Sequence, residues 1–236
     1  MKKFFLLLVM MPLMAYCQKS DTIKGKRFSI GLSYSPDYCY RFLASTNESS
    51  KGVIESRNKL ETPIFGYTTG INFAYRFNRR FTLEFGAMFS KHGENMDFMD
   101  LTYSAPNPDA PIKAKAYYRY YYVEIPIKVD FDILTKRAKL YASVGISPKI
   151  FLVAKQILFA EYSDGTIKKH TSGEVYNFTR LNLAALAGIG FSYDFTKRFY
   201  IRVEPTFRCS IISIIQAPVK GYLYSVGLNT GLYFKL

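Results

Sequence analysis

The stretch YLYSVGLNTGLYFKL, residues 222–236, decides the fold. Tyr222, Tyr224, Val226, Leu228, Thr230, Leu232, Phe234 and Leu236 form one alternate series, and it is apolar almost throughout. Leu223, Ser225, Gly227, Asn229, Gly231, Tyr233 and Lys235 lie between them, mostly small or polar. A period of two is the mark of an extended strand, because successive side chains point to opposite faces. Globular strands are usually about 5–6 residues long, whereas a strand that crosses a bilayer needs roughly 9–11. This one is long enough to cross.

Seven further segments carry the same pattern. Residues 27–35 set Phe28, Ile30, Leu32 and Tyr34 against serines and Gly31, and Pro36-Asp37 is expected to end that strand. Residues 64–77, 81–90, 117–131, 139–154, 178–193 and 199–208 alternate likewise. The connections 38–61, 91–116, 155–177 and 210–219 are long, while 78–80, 132–137 and 194–198 are short. Pro106, Pro108 and Pro111 exclude regular structure from the second long loop, Asp164-Gly165 marks a turn in the third, and Ile211 to Ile215 is a candidate extension of the wall. Short turns alternating with long loops is the rhythm of an outer-membrane barrel, with its turns in the periplasm and its loops outside. The expected fold is therefore all-β, an eight-stranded antiparallel up-and-down transmembrane β-barrel.

The beginning of the chain agrees with export. Met1-Lys2-Lys3 is basic, residues 4–14 are apolar, and Ala15-Tyr16-Cys17 precedes Gln18. This reads as a signal peptide, residues 1–17, followed by one barrel domain, residues 18–236. Its removal leaves 30 basic and 18 acidic residues, a formal charge of +12. An exported chain of that charge has an anionic membrane surface as its natural neighbour, not nucleic acid. Cys39 and Cys209 would then be the remaining cysteines, expected as free thiols.

The second face of the strands shows which side is inside. It is rich in Gly, Ser, Asn and Thr and carries Glu84, Glu124, Lys128, Arg202, Glu204 and Arg208. An eight-stranded barrel has an interior just wide enough for side chains to fill. Glu84, Glu124, Lys128, Arg202 and Glu204 are expected to line the lumen as a network of mixed sign, since unpaired charges there would cost several kcal/mol each. The apolar series then faces lipid. Tyr67, Tyr75, Phe77, Phe81, Phe89, Tyr193, Phe199, Tyr222 and Phe234 near the strand ends stand as girdles in a chain without Trp.

Tyr122-Val123-Glu124-Ile125-Pro126-Ile127-Lys128 resembles the "Y-x-E-I-P" strand of the PorT-like outer-membrane β-barrel family of Bacteroidota. Tyr141-Ala142-Ser143-Val144-Gly145 and Ala187-Gly188-Ile189-Gly190 are similar to further strands of that family. The resemblance spans the mature chain and implies an integral outer-membrane protein inserted by the barrel-assembly machinery. The founding member is associated with type IX secretion, so the resemblance implies contact with envelope or secretion-complex proteins as one possible role.

Chemistry is sparse. The two histidines, His92 and His170, fall in expected loops and are read as solvated; neither His92 with Asp97 or Asp100 nor His170 with Ser172 has catalytic spacing. No cofactor or metal motif occurs, and no catalytic residue is assigned. Arg41, Lys51, Arg57, Lys59, Lys155, Lys168, Lys169 and Arg180 lie in or beside the long loops. They either contact phosphates of lipopolysaccharide or simply solvate the loops. The expected role is that of a scaffold, anchor or accessory of the envelope, with a narrow porin as the alternative.

Overall fold

The computed structural model describes residues 27–45, 47–104, 109–135, 137–174 and 178–236. The leader assigned to residues 1–17 lies outside them. The strands are β1 (Phe28–Ala44), β2 (Glu61–Thr62), β3 (Ile64–Arg76), β4 (Phe81–Asp100), β5 (Lys113–Glu124), β6 (Ile127–Thr135), β7 (Ala138–Glu161), β8 (Ile167–Glu174), β9 (Leu181–Asp194), β10 (Phe199–Ser210) and β11 (Lys220–Lys235). A helix, α1 (Lys51–Leu60), lies between β1 and β2.

All pairings are antiparallel, and the sheet returns on itself. β11 pairs with β10 on one side and with β1 on the other, from Ser29 opposite Lys235 to Ala44 opposite Lys220. β1 in turn pairs with β3. The ring has eight staves: β1, β3, β4, β5 with β6, β7, β9, β10 and β11. Closure leaves the membrane-crossing part without an edge, so its backbone groups are satisfied within the wall. The stave of β5 and β6 is broken at Ile125 and Pro126, because proline has no N–H to give. The break is bridged: Pro126 O accepts from Gly86 N–H at 3.2 Å, and Ile125 N–H donates to Pro148 O at 2.9 Å.

The apolar face points out. Leu32, Phe65 and Leu181 are 68%, 73% and 69% exposed, while Ser33 and Asn182 beside two of them, and Asn72 on the strand of Phe65, are buried. A water-soluble barrel would have these faces reversed. Aromatic rings meet near both ends, as in Phe81 with Phe131 (5.2 Å), Phe199 with Phe234 (5.1 Å) and Phe42 with Tyr222 (4.7 Å between centroids).

Several strands run further than their hydropathy suggests. β1 does not stop at Pro36 but continues to Ala44. The register with β11 passes from Tyr34↔Thr230 to Asp37↔Gly227, so the proline interrupts the ladder without ending it. Residues 91–100 and 113–116, expected as loop, belong to β4 and β5, and residues 155–161 and 167–174 form the upper part of β7 and the strand β8. Their polarity reflects water on both faces beyond the bilayer; cross-strand pairing supplies the backbone hydrogen bonds there. The turn at Asp164 and Gly165 lies where expected, with Gly165 at φ +78. The isoleucine run does not extend the wall. Ile214 folds inward and packs with Tyr120, Tyr122, Phe151, Ala154 and Leu223 under the extracellular mouth.

Candidate functional site

The lumen is the place where the chain spends its chemistry, and three tiers of buried polar groups fill it. Nearest the periplasm is Arg202 on β10. It donates to Glu84, to Asp130 at 2.8 Å and to the Tyr141 hydroxyl at 2.9 Å, with its guanidinium 4.2 Å from the Tyr141 ring centroid. Lys128 on β6 lies 3.2 Å from Glu84 and donates to both Glu204 oxygens at 3.0 and 3.1 Å. Glu204 also accepts from Tyr141 and Ser143, each at 2.9 Å. Two cations thus face three carboxylates. Burial of charge is costly unless it is paired and its remaining hydrogen-bonding positions are used; this tier meets most of that demand.

The middle tier holds two carboxylates. Asp37 accepts from Arg208 (2.7 Å), Ser35 (2.7 Å) and Thr68 (2.6 Å), and His92 Nε2 stands 3.5 Å from it. Glu124 is 2.9 Å from Lys149 and accepts from Ser90 and, at 3.2 Å, from Ser147. Glycine makes this possible. A Cβ on Gly227 would come within 1.8 Å of Asp37 Oδ1, and one on Gly190 within 2.2 Å of the Tyr141 hydroxyl in the tier below.

The upper tier lies beyond the bilayer, above Lys91, the first outward charge on β4. Arg41 Nε donates to Glu61 at 2.7 Å and Nη1 to Asn58 at 2.6 Å, with Glu94 3.4 Å away. Arg57 of α1 reaches in to Glu61 at 2.5 Å and Glu94 at 3.4 Å, and Tyr120 donates to Glu94 at 3.1 Å. Burial, reinforced by the neighbouring Glu61 carboxylate, pushes the Glu94 carboxyl up to about 7. The tier fastens α1 to the mouth of the barrel.

Between the lower and middle tiers remains a void of about 30 Å³, enough for roughly one water. Below the lower tier a vestibule of about 530 Å³ opens on the short-turn side. Arg76 with Asp132 (3.0 Å) and Lys139 and Lys235 with Asp194 (3.5 and 2.9 Å) ring it, and Arg202, Asp130 and Tyr141 form its floor.

A closed antiparallel ring with apolar residues outside and charges inside is the architecture of one class of protein, and the sequence match agrees. The model of the outer membrane protein beta-barrel domain matches residues 18–216. The chain belongs to this family. As a member of it, the protein resides in the outer membrane. No curated protein matches the sequence. Among solved structures, Neisserial surface protein A is 17% identical, with 89% of this chain and 97% of that chain covered and a TM-score of 0.42. OprG of Pseudomonas aeruginosa is 11% identical, with 90% and 98% covered and a TM-score of 0.45. Ail of Yersinia pestis is 14% identical, with 89% and 100% covered and a TM-score of 0.37.

Of the five lumen residues singled out from the sequence, the structure brings Glu84, Lys128, Arg202 and Glu204 into one tier. Glu124 stands apart from them in the middle tier. Asp130 and Lys149 share the inward parity and complete these two tiers. Asp37, Arg41, His92 and Glu94 fall in stretches that read as loop. Continuing the alternation past Pro36 and Ser90 would have placed all four inside. His92 is therefore no solvated loop residue: it is 2% exposed and faces Asp37. His170 lies on β8 and is exposed. Arg41 and Arg57 turn into the upper tier instead of toward lipid, and Lys51 pairs with Glu48 at 2.5 Å. Cys39 faces inward, whereas Cys209 stands on the outward series; both are free. Among the described residues no group of three or more His, Cys, Asp or Glu is placed to hold a metal ion.

Proposed function

We propose that this outer-membrane barrel is a closed scaffold that anchors or assists an envelope complex. The observation that supports it best is the lumen, stacked with ion pairs from the vestibule floor to the fastened helix α1. A pathway for solutes would require three tiers of buried, mutually paired charges to separate at once, each pair costing about 3–5 kcal/mol to break. What the protein presents outward is a set of surfaces: the extracellular extension of β4, β5, β7 and β8, and the vestibule rim.

The resemblance of residues 122–128 to the PorT-like strand favours a complex linked to secretion, with insertion by the barrel-assembly machinery. In this reading the protein is not an enzyme. His92 is enclosed among structural partners, and a His92→Ala, His170→Ala double variant is expected to keep whatever cellular role a deletion strain loses.

Purified protein in planar bilayers tests the closed lumen. No stable conductance is expected at neutral pH. Steady single-channel currents would refute the proposal and favour the narrow porin, for which the vestibule would be the inner entrance. Crosslinking from the vestibule rim and the extracellular sheet in intact cells should recover specific envelope proteins as partners.

A further inference from the structure

The outward face changes character abruptly along one arc of the wall. On β4 the series Phe81, Leu83, Phe85, Ala87, Phe89 ends at Lys91. On the stave of β5 and β6, the apolar outward residues from Phe131 to Tyr121 end at Arg119, and on β7 those from Leu140 to Val153, whose last two residues both face outward at a bulge, end at Lys155. These apolar runs are 9, 11 and 14 residues long, enough for the roughly 9–11 that cross a bilayer. The three cations thus stand together at the outer boundary of the hydrocarbon. Arg119 is directly opposite Lys155, and Lys91 is opposite Tyr121, two residues from Arg119 on the same face.

Each head group rests near an aromatic ring: Lys91 Nζ is 5.7 Å from the Tyr67 centroid, Lys155 Nζ 5.6 Å from Tyr121, and the Arg119 guanidinium 5.3 Å from Tyr117. Such seating orders a long side chain; Arg119 Nη1 also donates to the Tyr118 carbonyl at 3.3 Å, which fixes the guanidinium further and leaves Nε and Nη2 to face outward. Among the described residues none of the three is ion-paired; Asp97, higher on the same sheet, is taken by Lys115 at 3.5 Å. On β1 and β11 the corresponding outward positions are Tyr40, Phe42, Tyr222 and Tyr224, without charge.

We infer that Lys91, Arg119 and Lys155 clamp a phosphate of a lipid in the outer leaflet, whose acyl chains lie along Phe89, Val123 and Leu152 below. Lipid faces this surface, so the chemistry needed at this height is an anionic head group continuous with apolar chains. Arginine offers a fork for two phosphate oxygens and the lysines add point charge. The inference rests on the outward face and holds for an open or a closed lumen alike, so failure of either reading leaves the other standing.

Binding of bisphosphorylated lipid A to the detergent-solubilised protein, read by native mass spectrometry, tests the clamp. At roughly fivefold per cation near an anionic surface, the K91Q/R119Q/K155Q variant should bind about a hundredfold more weakly, while K168Q/K169Q binds like the wild type. Lipid A stripped of its phosphates should lose affinity for the wild type to a similar degree, a comparison that needs no variant to fold. Equal binding of the two lipids by the wild type, or unchanged affinity in a triple variant that keeps its heat-modifiable gel shift, would overturn the inference.

Discussion

Replacing Arg202 by glutamine removes one of the two cations that face Glu84, Asp130 and Glu204 and keeps a polar side chain of shorter reach. Three buried carboxylates would then share Lys128, which already lies 3.2 Å from Glu84 and 3.0 Å from Glu204. Asp130, held by Arg202 at 2.8 Å, would lose its cation. Breaking one buried pair typically costs about 3–5 kcal/mol, because the partner is left charged and dry. The lost stacking on Tyr141, at 4.2 Å, adds about 1–2 kcal/mol. Glutamine can still donate to one carboxylate, which offsets part of this, so the expected loss is about 3–4 kcal/mol. That is two to three decades in the unfolding equilibrium constant, at about 1.4 kcal/mol per decade. Reversible urea unfolding in phospholipid vesicles, followed by circular dichroism and by the gel shift, measures it directly; the chain has no Trp to report by fluorescence. The double variant R202Q/E84Q should be less destabilised than the two single losses combined, by more than about 1 kcal/mol, since the second change removes a surplus negative charge. An R202Q barrel within about 1 kcal/mol of the wild type, with an unchanged denaturant slope, would refute the reasoning.

Gly227→Ala drives a methyl to within 1.8 Å of Asp37 Oδ1, against the Arg208 pair, and should cost about 2–4 kcal/mol in the same assay. Glu94 has its carboxyl raised in the folded state, so its contribution to stability is full below the unfolded value near 4.5 and is lost as pH rises through about 7. Unfolding midpoints of wild type and E94Q should therefore diverge with rising pH across that window, and a difference independent of pH would contradict the burial argument. Truncation after Tyr233 removes the pairs Ile30↔Phe234, Ser29↔Lys235 and Phe199↔Phe234 that hold the closing seam, and should block assembly as judged by membrane fractionation. Cys39 and Cys209 point to opposite faces of the wall, so gel mobility should be the same with and without reductant.

Much of the barrel was legible because alternation survives wherever one face meets hydrocarbon. Residues 64–77 alternate without a break and the structure ends β3 at Arg76, since both faces there are under constant pressure from lipid outside and a narrow lumen inside. The same alternation put Glu84, Lys128, Arg202 and Glu204 on one face. It faltered where that pressure stops. Lys91 to Asp100 contains Lys, His, Glu and Asp in quick succession, and nothing local distinguishes a hydrated strand from a loop. Pro36 and Asp37 read as a stop because local chemistry favours a turn; the alternation continued through them puts Asp37 inside beside Ser35, and the Arg208 and Thr68 side chains arriving from β10 and β3 supply the partners that let a carboxylate stay there.

The sequence by itself determined the period and the parity of the staves, and the apolar length that meets lipid, because these follow from the backbone geometry of neighbouring residues and from the hydropathy of each face; the hydrated upper ends of β1, β4 and β7 did not show in it. Which charges meet was decided only by the tertiary structure. Glu84 and Arg202 are 118 positions apart, and Asp37 and Arg208 are 171 apart. Their partnerships depend on the stagger of one stave against the next, and that stagger is set when β11 closes on β1 along the whole length of the wall.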